Sequence, residues 1–337
     1  MVKGVAPSYE RGDRGRLGVD VLGVDVGKRE LHAFLLQGGR AASKSVPNSP
    51  AGIAQFQTWL NNRKAHRVHA CLEATGGWSE DVAFALADAG HVVSLVNPSR
   101  IKAFAQSELL RTKTDKIDAA LIARFCNLHN PEPWTPPAPE IRVLQGLVRR
   151  HQSLVAMRTD EQNRLDAPLV GAVVKDSLEA TLAHLEREIE RVDREIEQLF
   201  NQHPPLRRQR DLLTSIPGIA NTTAARILGE MPNIVEFRSV KAVAAFAGLS
   251  PRHYESGSIR WPTRIAKTGN SALRRALYFP AIVAMRHNPL LRAFAERLRA
   301  RGKSNMSIIV AVMRKLLTIA YGVLKSGRAF DPAYATS

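Results

Sequence analysis

Two aspartates, Asp115 and Asp118, stand at the start of a predicted helix, where they could bind a metal ion together. Thr114 has the side chain of a helix N-cap, and an apolar run begins at Ala119. Residues three apart share one face of a helix, so the two carboxylates repel each other. The helix dipole offsets part of that repulsion, and a bound cation would offset far more. Acidic residues decorating a helix start are common, so the pair gains meaning only if other carboxylates join it.

Two predicted strands supply such carboxylates. The apolar, β-branched run 17–26 predicts a buried strand with Asp20 near its start and Asp25 at its end. The run 67–73 predicts a second buried strand that ends in Glu73. An acid in a buried strand is costly unless it is paired or binds metal. Three acidic sites that converge on one point would suit Mg²⁺ or Mn²⁺, because carboxylate oxygens are hard ligands.

The chain is strongly basic, and its charge is unevenly distributed. The formal charge of +17 over 337 residues and the isoelectric point near 10.4 indicate a polyanionic partner rather than a metabolic substrate. Residues 251–337 carry 16 Lys and Arg against 3 Asp and Glu, a net charge of +13. Residues 151–200 carry 6 against 11, a net charge of −5. A basic C-terminal third and an acidic middle predict separate tasks. Membrane-surface binding would also explain basicity, but the sequence has no lipidation motif.

Strands and helices alternate between residues 17 and 130, which predicts an α/β domain with a mixed sheet that opens with a hairpin. We expect strands at 17–26, 30–37, 67–73 and 91–96, and helices at 50–63, 78–89, 98–107 and 115–128. Residues 1–16 are predicted to be a disordered lead-in. Five prolines between 131 and 139 predict a stiff linker.

Residues 140–205 are predicted to form a helical hairpin with a coiled-coil seam. A helix is expected at 140–166, and in the helix after it apolar residues recur at alternating spacings of four and three, as a and d positions do. These are Leu178, Leu182, Leu185, Ile189, Val192, Ile196 and Leu199. The pattern allows a seam that pairs with another chain, which would make a homodimer or homotetramer, and it also allows a seam buried within one chain.

A mainly helical C-terminal domain is predicted at 206–328, followed by a tail at 329–337. The turn Ser215–Ile219 between two predicted helices resembles a helix-hairpin-helix element, which presents backbone N–H groups to a phosphate without reading sequence. Gly218 is therefore a candidate nucleic-acid-binding residue. A plain connector between helices would have the same composition. Further helices are expected at 239–247, 271–286, 289–301 and 305–325.

The segment 248–270 is predicted to be a structureless loop of functional importance. It holds hydroxyl groups from serine, threonine and tyrosine, some of them beside Gly257. Basic side chains that could hold phosphates accompany them, namely Arg252, Arg260, Arg264 and Lys267. Composition alone also fits a solvated loop that grips a nucleic-acid backbone without any chemistry.

The two cysteines, Cys71 and Cys126, exclude a disulfide framework and a cysteine-based zinc site. The longest apolar stretch, 306–324, has Arg314 and Lys315 in its middle, which favours a packed helix over a membrane span. The polar, glycine- and arginine-rich N-terminus is not typical of a secretory signal. A cytoplasmic location is expected.

Seven short blocks, taken together and in order, resemble the DEDD transposases of bacterial insertion sequences, which are recombinases guided by a structured bridge RNA. The resemblance spans about 17 to 330. The blocks are Gly23–Lys28, Leu72–Gly76, Asn97–Pro98 with Ala103–Ala105, Lys113–Ala119, Ser215–Ile219, Phe246–Leu249 and Tyr254–Ser258.

This resemblance implies an N-terminal RNase H-like domain similar to the Holliday-junction resolvase RuvC, a coiled-coil middle, and a C-terminal transposase domain that supplies a nucleophilic serine. The family's four catalytic, metal-binding acids fall on Asp25, Glu73, Asp115 and Asp118, and its serine falls on Ser256. Asp25 is preferred over Asp20 because a Gly-Lys turn follows it. The implied cofactor is Mg²⁺ or Mn²⁺, and the implied partners are DNA at the element ends and target, and the guide RNA. Lys113 joins the basic residues above as a nucleic-acid contact.

Three functions remain open at this point. The leading one is a DNA recombinase that works through a phosphoserine intermediate. The second is a metal-dependent, RuvC-like structure-specific endonuclease that activates water, with Ser256 only positioning DNA. The third is a basic nucleic-acid-binding protein without enzymatic activity. A covalent protein–DNA adduct distinguishes the first from the second, and binding without cleavage that survives metal chelation indicates the third.

Overall fold

The computed structural model describes residues 19–74, 76–109, 115–168, 171–252, 255–256, 259–260, 264–266 and 268–333. At residues 115, 116, 252, 255, 256, 259, 260 and 264 it describes the backbone alone. The predicted lead-in 1–16 and the candidate residues Lys113 and Lys267 lie outside this part of the chain. The polypeptide divides into two units, residues 1–136 and 137–337.

The first unit is built on a mixed five-stranded sheet. Its strands are β1 (Asp20–Val26), β2 (Glu30–Gln37), β3 (Arg40–Pro47), β4 (Val68–Glu73) and β5 (Val92–Val96), in the order β3-β2-β1-β4-β5. Its helices are α1 (Pro50–Asn62), α2 (Gly77–Asp88), α3 (Pro98–Ser107) and α4 (Asp115–His129). β2 runs antiparallel to β1 and β3, whereas β1, β4 and β5 are parallel. This arrangement fits the RNase H-like domain that the resemblance implies.

Strand β3 was not predicted. Its sequence is short of the apolar residues that mark a buried strand, and most of its residues are exposed because it forms one edge of the sheet. Gly38 and Gly39 both have positive φ, 53° and 79°, as a tight hairpin turn requires. The Gly-Gly pair was therefore the available signal for this hairpin.

The two faces of the sheet pack against different helices. One face packs against α1 and α2, where Phe56 and Leu86 meet the alternate residues Leu22 and Val24 of β1. The other face packs against α3 and α4, whose core includes Val21. β1 is the central strand by the strand order, and it contributes apolar side chains to both faces.

Helix α4 lies directly on β1, and Gly23 makes this possible. A Cβ atom at Gly23 would stand 2.2 Å from the carbonyl oxygen of Ala119 and 2.3 Å from the amide nitrogen of Ala123. Both are backbone atoms of α4, so no rotation of a side chain could relieve the clash. The helix can approach the strand this closely only where the strand has no side chain.

The first part of the proline-rich segment docks on the first unit. The Trp134 amide donates to the Val93 carbonyl over 2.6 Å, and the Ser94 hydroxyl donates to the carbonyls of Pro131 and Glu132 over 3.0 and 2.9 Å. The indole of Trp134 also packs against the Phe84 ring. These contacts hold residues 131–134 against β5.

The second unit is mostly helical. Its helices are α5 (Pro139–Leu165), α6 (Ala172–Gln202), α7 (Pro204–Thr214), α8 (Asn221–Glu230), α9 (Val240–Phe246), α10 (Ser271–Ala276), α11 (Tyr278–His287), α12 (Pro289–Ala300) and α13 (Asn305–Ser326). A 3₁₀ turn spans Ile234–Glu236. Four two-residue strands, β6 (Pro251–Arg252), β7 (Glu255–Ser256), β8 (Ile259–Arg260) and β9 (Arg264–Ile265), lie between α9 and α10.

The heptad seam of α6 is covered within the chain. Leu185, Val192, Ile196 and Leu199 are buried in a core that includes Leu144, Val148 and Leu154 of α5. The alternative of a seam free to pair with another chain is therefore wrong for these residues. The same core continues into the C-terminal helices, so the hairpin and those helices pack as one body, and the functional division at 205/206 stays a prediction.

A polar cluster around the buried side chain of His151 joins α5, α6 and α8 in this unit. His151 lies 3.2 Å from the Asp193 carboxylate through Nε2, and Arg226 donates to its Nδ1 over 3.2 Å. A guanidinium can only donate, so Nδ1 must be unprotonated and Nε2 carries the proton. Burial lowers the pKa of His151, and the Asp193 carboxylate opposes that shift. The imidazole is therefore neutral at physiological pH.

Helix α13 is apolar and long enough to cross a membrane by length and composition alone. Half of its most apolar window is buried in the unit, and Val312, Leu316 and Leu317 are fully buried in the core. This agrees with the packed helix predicted for 306–324.

The Gly23 contact generates a stability prediction. Gly23→Ala should lower the free energy of unfolding by at least about 3 kcal/mol, because the new methyl group can be placed only by moving α4 off the sheet. Gly77→Ala is the matched control, since a Cβ there meets nothing within 4 Å, and its effect should stay within about 1 kcal/mol. Urea unfolding of the two variants measures the difference. Equal stability of the two variants would show that α4 does not rest on β1 in this way.

Candidate active site

Asp25 and Glu73 lie side by side at the carboxyl ends of two parallel strands. Val24 is paired with Leu72, so the next residue along each strand, Asp25 and Glu73, continues the same register. Residues at one level of neighbouring strands share a face, and alternation from Gly23 places both acids on the face that α4 covers. Both residues are half-buried. Two carboxylates therefore lie at the end of the sheet formed by the carboxyl ends of β1 and β4. We call this end the acid edge.

The direction of α4 adds a third acid to this edge. The Cys126 thiol, late in the helix, donates to the His69 carbonyl over 3.7 Å, near the start of β4. Ala119, early in the helix, lies over Gly23, further along β1. The helix therefore runs antiparallel to the two strands, and its first turn points toward the ends that carry the strand acids. Asp118 immediately precedes Ala119 and is half-buried. Asp115 is the first residue of the helix, and its backbone alone is described.

The donor chemistry of these residues fits a hard divalent cation. Among the side chains that the structure describes, which do not include that of Asp115, no group of three or more potential ligands stands close enough to hold a metal ion. The acids brought to this edge are all carboxylates, the ligand type of Mg²⁺ and Mn²⁺. Half-buried like charges repel one another, and a cation would remove that cost.

The structure separates the two aspartates of β1. Asp20 is the first residue of the strand and pairs with Val68, at the opposite end from Glu73. Its carboxylate accepts a hydrogen bond from the side-chain amide of Gln37 over 2.7 Å. Asp20 therefore has a structural partner and lies far along the strand from the acid edge.

The segment 251–265 forms paired strands, so the prediction of a structureless loop is wrong here. β6 pairs with β9, and β7 pairs with β8, both antiparallel, so the two short ladders are nested. Ser256 is paired with Ile259, and Arg252 is paired with Arg264. We name this segment the serine hairpin. Tyr254, Gly257 and Ser258 lie outside the described residues.

Two family models match separate parts of the chain. A family model described as "Transposase", of the DEDD IS110 type, matches residues 22–174, which include all four candidate acids. A second, described as "Transposase IS116/IS110/IS902 family", matches residues 210–296, which include the serine hairpin. A pilin gene-inverting protein of Moraxella bovis is 34% identical over 92% of this chain and 97% of its own length.

The chain belongs to the IS110 family of transposases. The transposase for insertion sequence element IS1111A of Coxiella burnetii is 23% identical over 83% of this chain and 81% of its own length. Among solved structures, T. thermophilus RuvC in complex with a Holliday junction substrate matches 35% of this chain and 100% of its own chain, at 17% identity and a TM-score of 0.27. The family resemblance drawn from the sequence blocks is thereby confirmed, and the fold assignment rests on the strand order given above.

The base of the serine hairpin in this transposase is held by close backbone contacts. The Asn270 amide donates to the Phe246 carbonyl over 2.6 Å, and the Ala266 amide donates to the Ser250 carbonyl over 2.9 Å. A Cβ atom at Gly269 would stand 2.1 Å from the Phe246 oxygen. The chain can leave and re-enter the helical body this tightly only because residue 269 is glycine.

A buried carboxylate anchors the same point. Asn270 caps α10 by accepting from the Leu273 amide, and its side-chain nitrogen donates to Oε2 of Glu230 over 2.9 Å. The Glu230 side chain is 1% exposed, and Arg149 of α5 lies 3.3 Å from its Oε1. A buried charge requires partners of this kind. The hairpin base is thus tied to α8 and α5 through Glu230.

The turn between α7 and α8 gives Gly218 a packing role. Its φ of +106° is a conformation that other residues rarely adopt, and a Cβ there would lie 2.6 Å from that of Ala284 in α11. The turn joins α7 and α8, and its glycine faces a neighbouring helix closely, so the helix-hairpin-helix element stays a prediction. Phosphate binding at Gly218 stays a prediction.

Sequence analysis did not single out three residues beside the acid edge. The Asn48 side-chain amide donates to the Gly27 carbonyl over 2.9 Å and to the Trp78 carbonyl over 3.2 Å. The Lys28 ammonium lies 5.6 Å from the centroid of the Trp78 ring. Asn48 is distant from both loops in sequence, so only the arrangement of strands brings it between them. The one signal in the sequence was a tryptophan directly after Gly76-Gly77.

The Glu230 anchor generates a prediction. Asn270→Ala should lower the free energy of unfolding by about 2–4 kcal/mol, because it removes a helix cap and also leaves a buried carboxylate short of a hydrogen bond. Ser239→Ala is the matched control: Ser239 caps α9 by accepting from the Ala242 amide and has no role at Glu230. Ser239→Ala should lower the free energy of unfolding by about 1 kcal/mol. Calorimetry or urea unfolding that gives both variants the same cost would contradict the anchoring role.

Proposed function

We propose that this transposase cuts and rejoins DNA strands through a covalent phosphoserine intermediate. In this proposal Asp25, Glu73, Asp115 and Asp118 bind one or two Mg²⁺ or Mn²⁺ ions, and Ser256 is the nucleophile. A bridge RNA, as the family resemblance implies, guides the protein to its DNA sites. The observation that carries the proposal is the meeting of Asp25, Glu73 and the first turn of α4 at one edge of the sheet.

The acids explain how a phosphodiester could be activated. When bound, the cation supplies Lewis-acid polarisation of the scissile phosphate and stabilises charge on the leaving oxygen. The protein's part is to hold the carboxylates in place before DNA arrives. β1 and β4 fix two of them by register, and the Gly23 contact fixes the helix that carries the others.

The serine explains how strands could be rejoined. A serine hydroxyl is a weak nucleophile and needs an activated phosphate or a base. In the proposed step the Ser256 oxygen bonds to phosphorus as the bond from phosphorus to the 3′ oxygen breaks, and the serine proton passes by way of a base or solvent to the departing 3′ oxygen. A 3′ hydroxyl reverses the step on a new partner strand. The phosphodiester energy is conserved, which hydrolysis would lose.

The basic residues explain how nucleic acid could be held. The backbone register of the serine hairpin pairs residue 252 with residue 264, so two arginines stand at one rung of the ladder, and guanidinium groups are well suited to bind phosphate. Arg260, Lys267 and Lys113 extend this set in the proposal. Phosphate contacts position a nucleic acid without reading its sequence. Base pairing with a guide RNA would supply the specificity that such contacts lack.

The acid assignment is tested by four substitutions and one matched control. Asp25→Ala, Glu73→Ala, Asp115→Ala and Asp118→Ala should each lower strand exchange by about 100-fold or more, because each removes a metal ligand. DNA binding should be largely retained. Asp20→Ala removes an aspartate from the same strand and should be far milder. Chelation of divalent metal should reproduce the loss in the unmodified protein. Loss of activity in Asp20→Ala with activity retained in Asp25→Ala would refute the assignment.

The nucleophile is tested by trapping the adduct. Denaturing the protein during reaction with a DNA substrate should leave DNA covalently attached, and mass spectrometry after protease and nuclease digestion should locate the phosphate on Ser256. Ser256→Ala should bind DNA and form no adduct, whereas Ser258→Ala should still form it. Phosphate found on Tyr254 or Ser258 would identify that residue, instead of Ser256, as the nucleophile. Metal-dependent cleavage without any adduct would indicate the endonuclease that uses activated water.

A further inference from the structure

Trp78, Lys28 and Asn48 form a small assembly at the end of the sheet that carries the acids. Asn48 bridges the loop after β1, through the Gly27 carbonyl, and the start of α2, through the Trp78 carbonyl. The Asn48 amide nitrogen of the backbone also donates to the Arg29 carbonyl over 2.8 Å. These bonds hold the two loops together and fix the backbone from which the indole and the ammonium project. We name this assembly the Trp78 platform.

The platform adjoins the acid edge by chain geometry. Lys28 follows Asp25 by three residues, so their Cα atoms are at most about 11 Å apart. Trp78 follows Glu73 by five residues, at the end of the neighbouring strand. Because Asn48 ties these two loops, the start of α2 that carries Trp78 lies at the same end of the sheet as the acids. A strand whose phosphate reaches the acids would pass it with a flanking nucleotide.

The exposure of Trp78 distinguishes it from the two other tryptophans of this unit. Trp59 stacks on Phe56 and Trp134 packs on Phe84, and both are half-buried. Trp78 is 51% exposed, and its ring has a lysine ammonium beside it. A single exposed apolar side chain needs no explanation. An exposed indole on a fixed backbone, with a cation beside it and at the same end of the sheet as the acids, has the composition of a nucleic-acid contact: a ring for a base and a positive charge for its phosphate.

We propose that Trp78 stacks on an unpaired base of the DNA strand that enters the acid site, that Lys28 holds a phosphate beside that base, and that Asn48 is the positioning residue for both. This rests on the proposed function, because it assumes that DNA reaches the acids. It also narrows the substrate: the strand must be unpaired or unstacked next to the scissile phosphate. Stacking on an indole tolerates any base, so the platform would not restrict the target sequence.

The test compares two DNA substrates of identical sequence, one fully paired and one with a short unpaired segment, in binding to the full-length protein. Trp78→Ala should weaken binding of the unpaired DNA about 5- to 150-fold and leave binding of the duplex nearly unchanged. Trp78→Phe should restore most of the loss, since it keeps an aromatic face. An unchanged melting temperature would show that Trp78→Ala is folded. We expect this result because about half of the Trp78 surface is exposed. Equal losses on both substrates, or no loss on either, would overturn the proposal.

Two further variants separate the parts of the platform. Lys28→Ala should weaken binding of the unpaired DNA and reduce its salt dependence, whereas Lys44→Ala, an exposed lysine on β3, should do neither. Asn48→Asp places a carboxylate against two carbonyl oxygens and should reproduce the Trp78→Ala defect in a folded protein. A folded Asn48→Asp variant that binds unpaired DNA normally would refute the positioning role.

A direct signal comes from the indole itself. In a protein with Trp59, Trp134 and Trp261 replaced by phenylalanine, fluorescence of Trp78 should be quenched by unpaired DNA and much less by duplex. RNA of the same sequence serves as the second arm, and quenching by RNA alone would overturn the assignment to DNA. The Asp25→Ala and Ser256→Ala variants should keep the quenching. If they do while no Ser256 adduct can be trapped in the parent protein, the serine mechanism fails and the platform stands.

Discussion

The contact between the α4 backbone and Gly23 is the constraint on which the acid edge depends. Strand register alone brings Asp25 and Glu73 together, because neighbouring parallel strands hold their ends level. The acids of α4 come from a different element, and their position depends on how closely and in which direction that helix crosses the sheet. The missing side chain at residue 23 sets the distance, and the Cys126–His69 contact sets the direction. Hydrogen bonding to Cys126 and burial raise the pKa of the Cys71 thiol, so it remains an uncharged part of this packing layer.

A different constraint serves the serine hairpin. Its ladders are only two residues long, and so short a pairing has little stability of its own. The hairpin therefore depends on the helices that hold its base. Glu230 holds the base through Asn270 from a buried position. An unpaired carboxylate there would be costly, so any arrangement of the chain that removes its partners is disfavoured. The neutral His151 between Asp193 and Arg226 joins helices of the same body in a similar way. Polar groups that link the helices thus fix the frame from which the serine hairpin extends.

Sequence patterns predicted the helices and strands that depend on local residues. They failed where contacts between segments distant in the sequence determine the structure. Buried strands with β-branched residues and capped helices were found close to their true bounds, as in β4 and α3. β3 was missed because an exposed edge strand such as Arg40–Pro47 has no apolar pattern. The apolar face of α6 was predicted, but a heptad pattern cannot say which helix covers it, and α5 does so here; coiled-coil packing stays a prediction. Asn48 could not have been selected, because its significance arises only when its own loop meets the loops after β1 and β4 at one end of the sheet. The role of Ser256 came from family resemblance alone, whereas the positions of the acids in predicted strands and a helix start suggested a metal site before the resemblance selected four of them.

Electrostatic repulsion affects how a nucleic acid would approach the acid edge. Carboxylates gathered at a sheet edge repel the phosphates of the strand that they would act on, and this repulsion is strongest where the groups are least exposed to water. A net charge of +17 attracts nucleic acid to the protein as a whole but does not deliver one phosphate to one edge. Contacts next to the acids are needed for that. An indole interacts with a base without adding charge, and a single lysine beside it can hold a phosphate without neutralising the carboxylates that must bind a cation. An arginine or lysine cluster at the same place would compete with the metal for the acids. The combination of Trp78 and Lys28 therefore suits an edge whose negative charge, under the proposed function, would be kept for a cation.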